Sequence, residues 1–310
     1  MDAIVGIDVS KDRLDVHVRP SGEAFAIARD AEAIAALAER LALLQPAAIG
    51  LEASGGYEAP LVAALVAAKL PVAAVNPGQV RAFADALGKR AKTDPIDAGV
   101  IAHFVEAAKP DIRPFPDEKA RLLADLVARR RQIVAMITAE KQRQNRAPQR
   151  VRKSILRLIK ALKRELDVVE GDIDDAVKAS PVWRENEDLL ASAPGVGKTI
   201  ARTLIAELPE LGSLDRRKIA ALAGLAPFTR QSGQWRGKSF CSGGRAQART
   251  ALFIAAMVAS RCDPCFKAFR DRLIAAGKPK MVALVAVARK LLIALNAIIR
   301  DQTPWRAQNA

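Results

Sequence analysis

From Ala3 to Leu87 the apolar pattern switches repeatedly between a period of two and a helical period, an order that a helix bundle cannot adopt. Ala3–Val9 (AIVGIDV) is an apolar run closing on an acid, and Leu14–Arg19 (LDVHVR) alternates. Glu23–Ala28 (EAFAIA) supplies a third strand after the Pro20–Ser21–Gly22 turn. Asp30–Leu44 reads as an Ala/Leu-rich helix, Ala47–Glu52 (AAIGLE) as a strand again closing on an acid, and Glu58–Lys69 as a helix. Pro71–Val75 is a short buried strand, and Pro77–Leu87 returns to helix. After the basic link Gly88–Lys92, a further helix is expected near Thr93–Asp94–Pro95, with proline in its first turn and Thr93 or Asp94 as cap. The order βββαβαβα predicts an α/β layer fold, with three hairpin-joined strands ahead of the alternating units.

From Asp117 to about Lys178 the pattern changes. No Gly occurs before Gly171, Pro148 is the only Pro, and Ile155, Leu158, Ile159, Leu162 and Leu166 recur at helical spacing. Two long helices broken near Pro148 are expected. Cations crowd their facing halves, among them Arg143, Arg146, Arg150, Arg152, Lys153 and Arg157. A solvated face or an intermolecular coiled coil is the plain alternative, but so many cations with few balancing acids favour a phosphate backbone lying along them. The remainder, about Glu187–Trp305, reads as Ala-rich helix interrupted by a Gly-dense basic insert at Ser232–Arg249.

The charge balance agrees with a polyanionic partner. Lys plus Arg number 49 against 34 Asp plus Glu, a net +15 over 310 residues, which a small-metabolite enzyme has no need of. Other classes fall away. The acid-bearing start MDAIVGIDVSKD is unlike a secretory signal, and without eighteen consecutive apolar residues no spanning helix is expected, so the expectation is a cytoplasmic protein without a membrane partner. Three Cys make no disulfide framework, and two His exclude His-rich metal sites and the His-hydrophobic-His nucleases. Aromatics at 4% argue against reading single strands mainly by stacking.

Four acids stand where a metal site would need them. Asp8 and Glu52 close apolar runs, and Asp94 and Asp97 lie three apart on one helix face. With the first and fourth strands as neighbours and the later helix over their ends, an RNase H-like order, the four converge. Such a cluster repels itself without divalent cations, and hard oxygen donors suit Mg²⁺ or Mn²⁺. Two ions about 4 Å apart can clamp a phosphodiester. Taken singly, each acid has a bland reading as turn former, surface acid or helix cap.

Other signals are weaker. Ala193-Pro194-Gly195-Val196-Gly197-Lys198-Thr199 lacks the first Gly of a P-loop, since Ser192 stands there, and follows a helical stretch. A helix-hairpin-helix fits better, with Gly195, Gly197 and Lys198 offering backbone N–H groups and a cation to phosphate, or else a plain tight turn. Cys262 and Cys265 have no second pair to complete a zinc site, so a structural role is expected. His103 reads as a packed or surface residue, and the lone Tyr57 sits in the acid-rich half, away from the basic cluster that a tyrosine recombinase requires. In the insert, Ser232, Ser239 and Ser242 lie among Arg230, Arg236, Lys238, Arg245 and Arg249, a setting for phosphate gripping or phosphoryl transfer. Composition does not choose among the serines.

The segments GIDVSKD, GLEASGGYE, KTDPIDA, GLAPFTRQSG, SGGRAQARTALF and GKPKMVALVAVARKLL, in that order, resemble the DEDD transposases of insertion sequence 110. The resemblance implies a RuvC-like (RNase H-like) α/β domain over 1–112, a coiled-coil helical linker over 113–186, and a mainly α transposase domain over 187–310. It implies that Asp8, Glu52, Asp94 and Asp97 bind metal, that Ser232 is the nucleophile, and that a noncoding bridge RNA pairs donor and target DNA. Gln231 departs from the family's more usual acid before that serine. The expected activity is excision and insertion of a mobile element by a dimer or tetramer near the nucleoid. A RuvC-like nuclease without a covalent intermediate and a basic architectural protein are the rivals. Expected nucleic-acid contacts are Arg150, Arg152, Lys153, Gly195, Gly197, Lys198, Arg236, Lys238, Arg245 and Arg249.

Overall fold

The computed structural model describes residues 2–52, 56–89, 94–110, 112, 115–229, 231–233, 235–237 and 239–306, with only the backbone of Asp94, Pro95, Trp235 and Arg236. The chain separates into two compact units, residues 1–115 and 116–310.

The first unit opens with β1 (Ile4–Val9), β2 (Arg13–Arg19) and β3 (Ala24–Ala28), an antiparallel meander. There follow α1 (Ala31–Leu44), β4 (Ala48–Glu52), α2 (Ala59–Ala67), β5 (Val72–Val75), α3 (Pro77–Ala86) and α4 (Asp94–Ala108). Caps set these helices where the sequence placed them: the Asp30 carboxylate accepts from Ala33 N–H, and Asn76 accepts from Gly78 and Gln79. The sheet order is β3-β2-β1-β4-β5, with β4 and β5 parallel to β1. It is therefore a mixed sheet whose expected neighbours, the first and fourth strands, do lie side by side. Its odd-numbered β1 and β4 residues, Val5, Ile7, Val9, Ile49 and Leu51, pack with Leu37 and Leu41 of α1 and Leu61 and Leu65 of α2. The opposite face packs on α3 and α4 through Val80, Ala84, Val100, Ile101 and Val105.

The second unit is mostly helical. α5 (Glu118–Arg146) and α6 (Gln149–Lys178) form a hairpin broken at Ala147–Pro148, where proline cannot continue the first helix. The sequence set this hairpin apart as a linker. Its base shares a core with the rest of the unit, since Val127, Val169 and Ile173 pack with Trp183, Ile205 and Ala206. Then come α7 (Pro181–Ala191), α8 (Lys198–Glu207) and α9 (Arg216–Leu222). The insert holds β6 (Pro227–Phe228), β7 (Gln231–Ser232), β8 (Trp235–Arg236) and β9 (Phe240–Cys241), and α10 (Ala246–Cys262), α11 (Pro264–Ala275) and α12 (Lys280–Asp301) complete the chain. Where the sequence suggested a loop, β6 pairs with β9 and β7 with β8, two-residue ladders too short to leave a periodic signal. Among the described residues α12 is the one helix long and apolar enough to cross a membrane. Half of that stretch is buried, and Val287, Leu291, Leu292 and Leu295 lie in the unit's core beside Leu252 and Phe266.

Candidate active site

Strand parity decides which side chains meet α4. Successive strand residues point to opposite faces, and Ile4 and Ala48 pack with Val100, Ile101 and Val105 of α4. Gly6 and Gly50 lie two residues further on and face the same helix. A Cβ at Gly6 would stand 2.3 Å from the Ala98 carbonyl oxygen and 2.4 Å from the Ala102 nitrogen, so α4 rests directly on the strand backbone. At Gly50 it would meet Val105 and Ile101 side chains at 2.3 and 3.0 Å. Two residues further again come Asp8 and Glu52, on that face and at the C-terminal ends of adjacent parallel strands, just past the Ile7–Leu51 pair.

The helix brings its own acids to this end. Val105, Glu106 and Lys109 lie with Ile4 and Ala48 around one cavity at the strands' N-terminal ends. Thus α4 runs antiparallel to β1 and β4, and its first turns reach the acid-bearing end. Asp97 shares a helix face with Ile101 and Val105, the residues against Gly50. Asp94 is the first residue of α4, but its side chain lies outside the described atoms. Asp8, Glu52 and Asp97 are each partly exposed and each already makes a polar or electrostatic contact. Among the described residues no three His, Cys, Asp or Glu side chains are gathered closely enough to enclose a metal ion. In donor chemistry the set fits a hard divalent cation, since every member is a carboxylate and none a thiol or imidazole.

One acid on this face escaped the sequence reading. Asp15 pairs in register with Asp8 across the β1–β2 ladder and is 3% exposed. Within LDVHVR it looked like an ordinary polar member of an alternating strand. Next along the same face, His17 lies 3.7 Å from where a Cβ on Gly99 would sit. Burial lowers its pKa below the ordinary imidazole value, with Arg19 and Lys89 adding to the effect. His103 packs edge-on to Phe83.

In the second unit Ser232 is exposed at the end of β7, opposite Trp235, and is followed by Gly233 at φ +56° in the turn. Ser239 instead shares a hydrogen bond with the Thr229 hydroxyl at 3.3 Å. Arg245 is occupied: its guanidinium donates to the Glu210 carboxylate at 2.7 Å and to the Glu207 carbonyl at 2.8 Å. Arg249 donates to the Gly243 carbonyl. Lys238 and the side chain of Arg236 lie outside the described residues.

The expected phosphate turn joins α7 to α8. Gly195, at φ +80°, is required by packing, because a Cβ there would stand 2.3 Å from the Ala255 carbonyl oxygen of α10. Gly197 is the N-cap of α8 without a side-chain cap bond, and Gly197 and Lys198 are exposed. At the hairpin tip Arg150, Arg152 and Lys153 are exposed in the first turns of α6, which also lacks a side-chain cap. Among the described residues Cys241, Cys262 and Cys265 form no disulfide.

Residues 5–149 match a family model described as a transposase, the DEDD transposase of IS110, and residues 187–271 match one described as the transposase of the IS116/IS110/IS902 family. A pilin gene-inverting protein of Moraxella bovis is 30% identical over 260 residues, 82% of this chain and 80% of the relative. The protein of the same name from Moraxella lacunata matches to the same extent. An IS110 insertion-element protein of Streptomyces coelicolor is 31% identical over 157 residues, 50% of this chain and 38% of its own. An acid-ended sheet joined in one chain to a basic helical unit, matched in both parts, defines a DNA transposase. The chain belongs to the IS110 family of DEDD transposases.

Proposed function

We propose that this transposase is an RNA-guided serine recombinase that excises and inserts a mobile element. The observation that carries the reading is the shared face of Asp8, Glu52 and Asp97, at the ends of adjacent parallel strands and the first turns of the helix over them. The strand order, with three antiparallel strands and two parallel additions, supports an RNase H-like fold for the first unit. Asp8, Glu52, Asp94 and Asp97 would hold Mg²⁺ or Mn²⁺, which when bound supplies charge neutralisation at the phosphodiester and activation of an attacking oxygen.

Ser232 is the nucleophile in this reading, supported by its exposure beside a glycine turn within a basic insert. Its Oγ–P bond forms as one backbone P–O bond breaks, and the serine proton passes through water to the departing oxygen. Rejoining reverses these changes with a different strand end, so bond energy is kept. The name of the Moraxella relatives, gene-inverting proteins, fits cutting and rejoining without loss. The acids and the serine belong to different units, so the working site is composite, from one chain or two, within a dimer or tetramer. At the hairpin tip Arg150, Arg152 and Lys153 stand exposed in the first turns of α6, Arg152 Nε also donating to the Ala147 carbonyl at 2.8 Å, and together with the uncapped N–H groups they suit an anion. They would grip the bridge RNA, while Gly197 and Lys198 would hold a donor or target phosphate.

Labelled DNA on denaturing gels, with mass spectrometry of the linked peptide, tests this. Ser232→Ala should bind nucleic acid and give no covalent adduct, and Asp97→Asn should lose the adduct with its melting temperature nearly unchanged. An adduct mapped to Ser239 or Ser242, or full activity of Asp97→Asn in Mg²⁺, would overturn it.

A further inference from the structure

Across from Asp8 the structure places a second, deeper acid. β2 turns only ionisable side chains toward α4: Arg13, Asp15, His17 and Arg19. Two of these reach the solvent-facing margin, where Arg19 pairs with Glu106 at 2.7 Å and Arg13 is 53% exposed as a side chain. Asp15 is different, with a side chain 4% exposed. Burying a carboxylate there is costly unless it is paired. The pairing comes from Arg13, whose Nε donates to Oδ2 at 2.9 Å and Nη2 to Oδ1 at 2.6 Å. That geometry holds the guanidinium in the strand's own face, two residues from the acid it neutralises.

Stability alone does not account for the arrangement. Residues directly opposite in an antiparallel ladder have Cβ atoms roughly 4.5–5.5 Å apart, and like charges there repel. Asp15 directly opposes Asp8. An apolar residue at position 15 would avoid both the burial cost and the repulsion, as Leu14 and Val16 do on the other face. The result is a group of one net negative charge: one acid at the strand end, one acid buried behind it, and one guanidinium fixed on the second.

We propose that Arg13 and Asp15 are a charge-setting pair for Asp8, which fixes the net charge at the acid-bearing strand end and thereby how tightly that end takes a divalent cation. This rests on the reading of Asp8, Glu52, Asp94 and Asp97 as cation ligands. The pair is a positioning device rather than a ligand, because both Asp15 oxygens are committed to Arg13. Without the Asp15 charge, the strand end gains one net positive charge, which opposes a divalent cation. With both charges removed, the local balance returns to its starting value.

The opposite behaviour of single and double variants supplies the test. Mn²⁺ affinity of the full chain is measured by titration with free Mn²⁺ read by electron paramagnetic resonance, with each variant's melting temperature alongside. Asp15→Asn, of nearly the same shape, should weaken Mn²⁺ binding on the order of tenfold. The double variant Arg13→Gln with Asp15→Asn should bind Mn²⁺ nearly as the wild type does. Equal affinity of Asp15→Asn and wild type, or a double variant as weak as the single, would overturn the proposal. Asp8→Asn serves as the separate reference: if it binds Mn²⁺ as tightly as the wild type, it is the metal-site reading that fails.

Discussion

Replacing Gly6 by alanine tests how directly the carboxylate geometry depends on the seat of α4. The added methyl would stand 2.3 Å from the Ala98 carbonyl oxygen and 2.4 Å from the Ala102 nitrogen. Both are backbone atoms, so no rotamer change relieves the clash. Restoring an ordinary contact of about 3.5 Å requires the helix to recede by about 1 Å. Overpacking of this kind costs about 1–3 kcal/mol, and 2 kcal/mol in a unit of this size lowers Tm by roughly 10 °C. Asp97 moves with the helix, and in its proposed role as a metal ligand a misplacement of about 1 Å can cost on the order of a hundredfold in rate. Gly99→Ala is the matched control on the same interface: its nearest neighbour is the His17 ring at 3.7 Å, an ordinary contact. Removing a mid-helix glycine without a clash should stabilise by about 0.5–1 kcal/mol. Hydrogen exchange of peptides from β1 and α4, together with strand cleavage, reads both variants. Trp183, Trp235 and Trp305 all lie in the second unit, so tryptophan fluorescence is the internal reference. Unchanged protection in Gly6→Ala, or equal losses in the two variants, would refute the reasoning.

Reversing charge at Arg150, Arg152 and Lys153 should weaken RNA binding and flatten its salt dependence, by somewhat under one unit of log–log slope per lost phosphate contact; filter binding over a salt series checks this, and an unaltered slope moves the contact elsewhere. His17 sets a pH dependence: its folded pKa is depressed, so on acidification through the imidazole range the unfolded chain takes up a proton that the native one resists, and stability falls. Denaturant melts of the wild type and His17→Gln between about pH 5.5 and 7.5 measure it, and the same slope in both would remove His17 as the cause.

The elements of the first unit were legible because apolar periodicity and local caps agree there. Asp30 and Asn76 each cap the helix that follows, and in the second unit Asp117 caps α5 and Pro148 follows its end. Asp8 and Glu52 were legible as candidates because a buried run that closes on an acid marks a strand's end. Their common face also follows from sequence once the two strands are known to be parallel neighbours. Contacts between distant segments were not readable. Nothing near Arg245 announces that Glu210, 35 residues away, takes its guanidinium. Asp15 was hidden for a similar reason, since its significance lies in the register that sets it against Asp8. Gly6 and Gly195 were visible as glycines, but only the packed helix shows which backbone each admits.

The parity that aims Asp8 and Glu52 at one helix also limits how this gene can vary. A strand has a side-chain period of two, so inserting or deleting one residue between Ile4 and Asp8 exchanges the faces of everything beyond it. The acid would enter the apolar layer of α1 and α2, and Val9 or Ile7 would take its place at the strand end. Lineages can therefore lengthen the Pro20–Ser21–Gly22 turn in single steps, whereas β1 and β4 tolerate changes in length only in pairs. Frame-preserving indels should accumulate at such turns and be purged from these two strands even where every inserted residue is a good strand former.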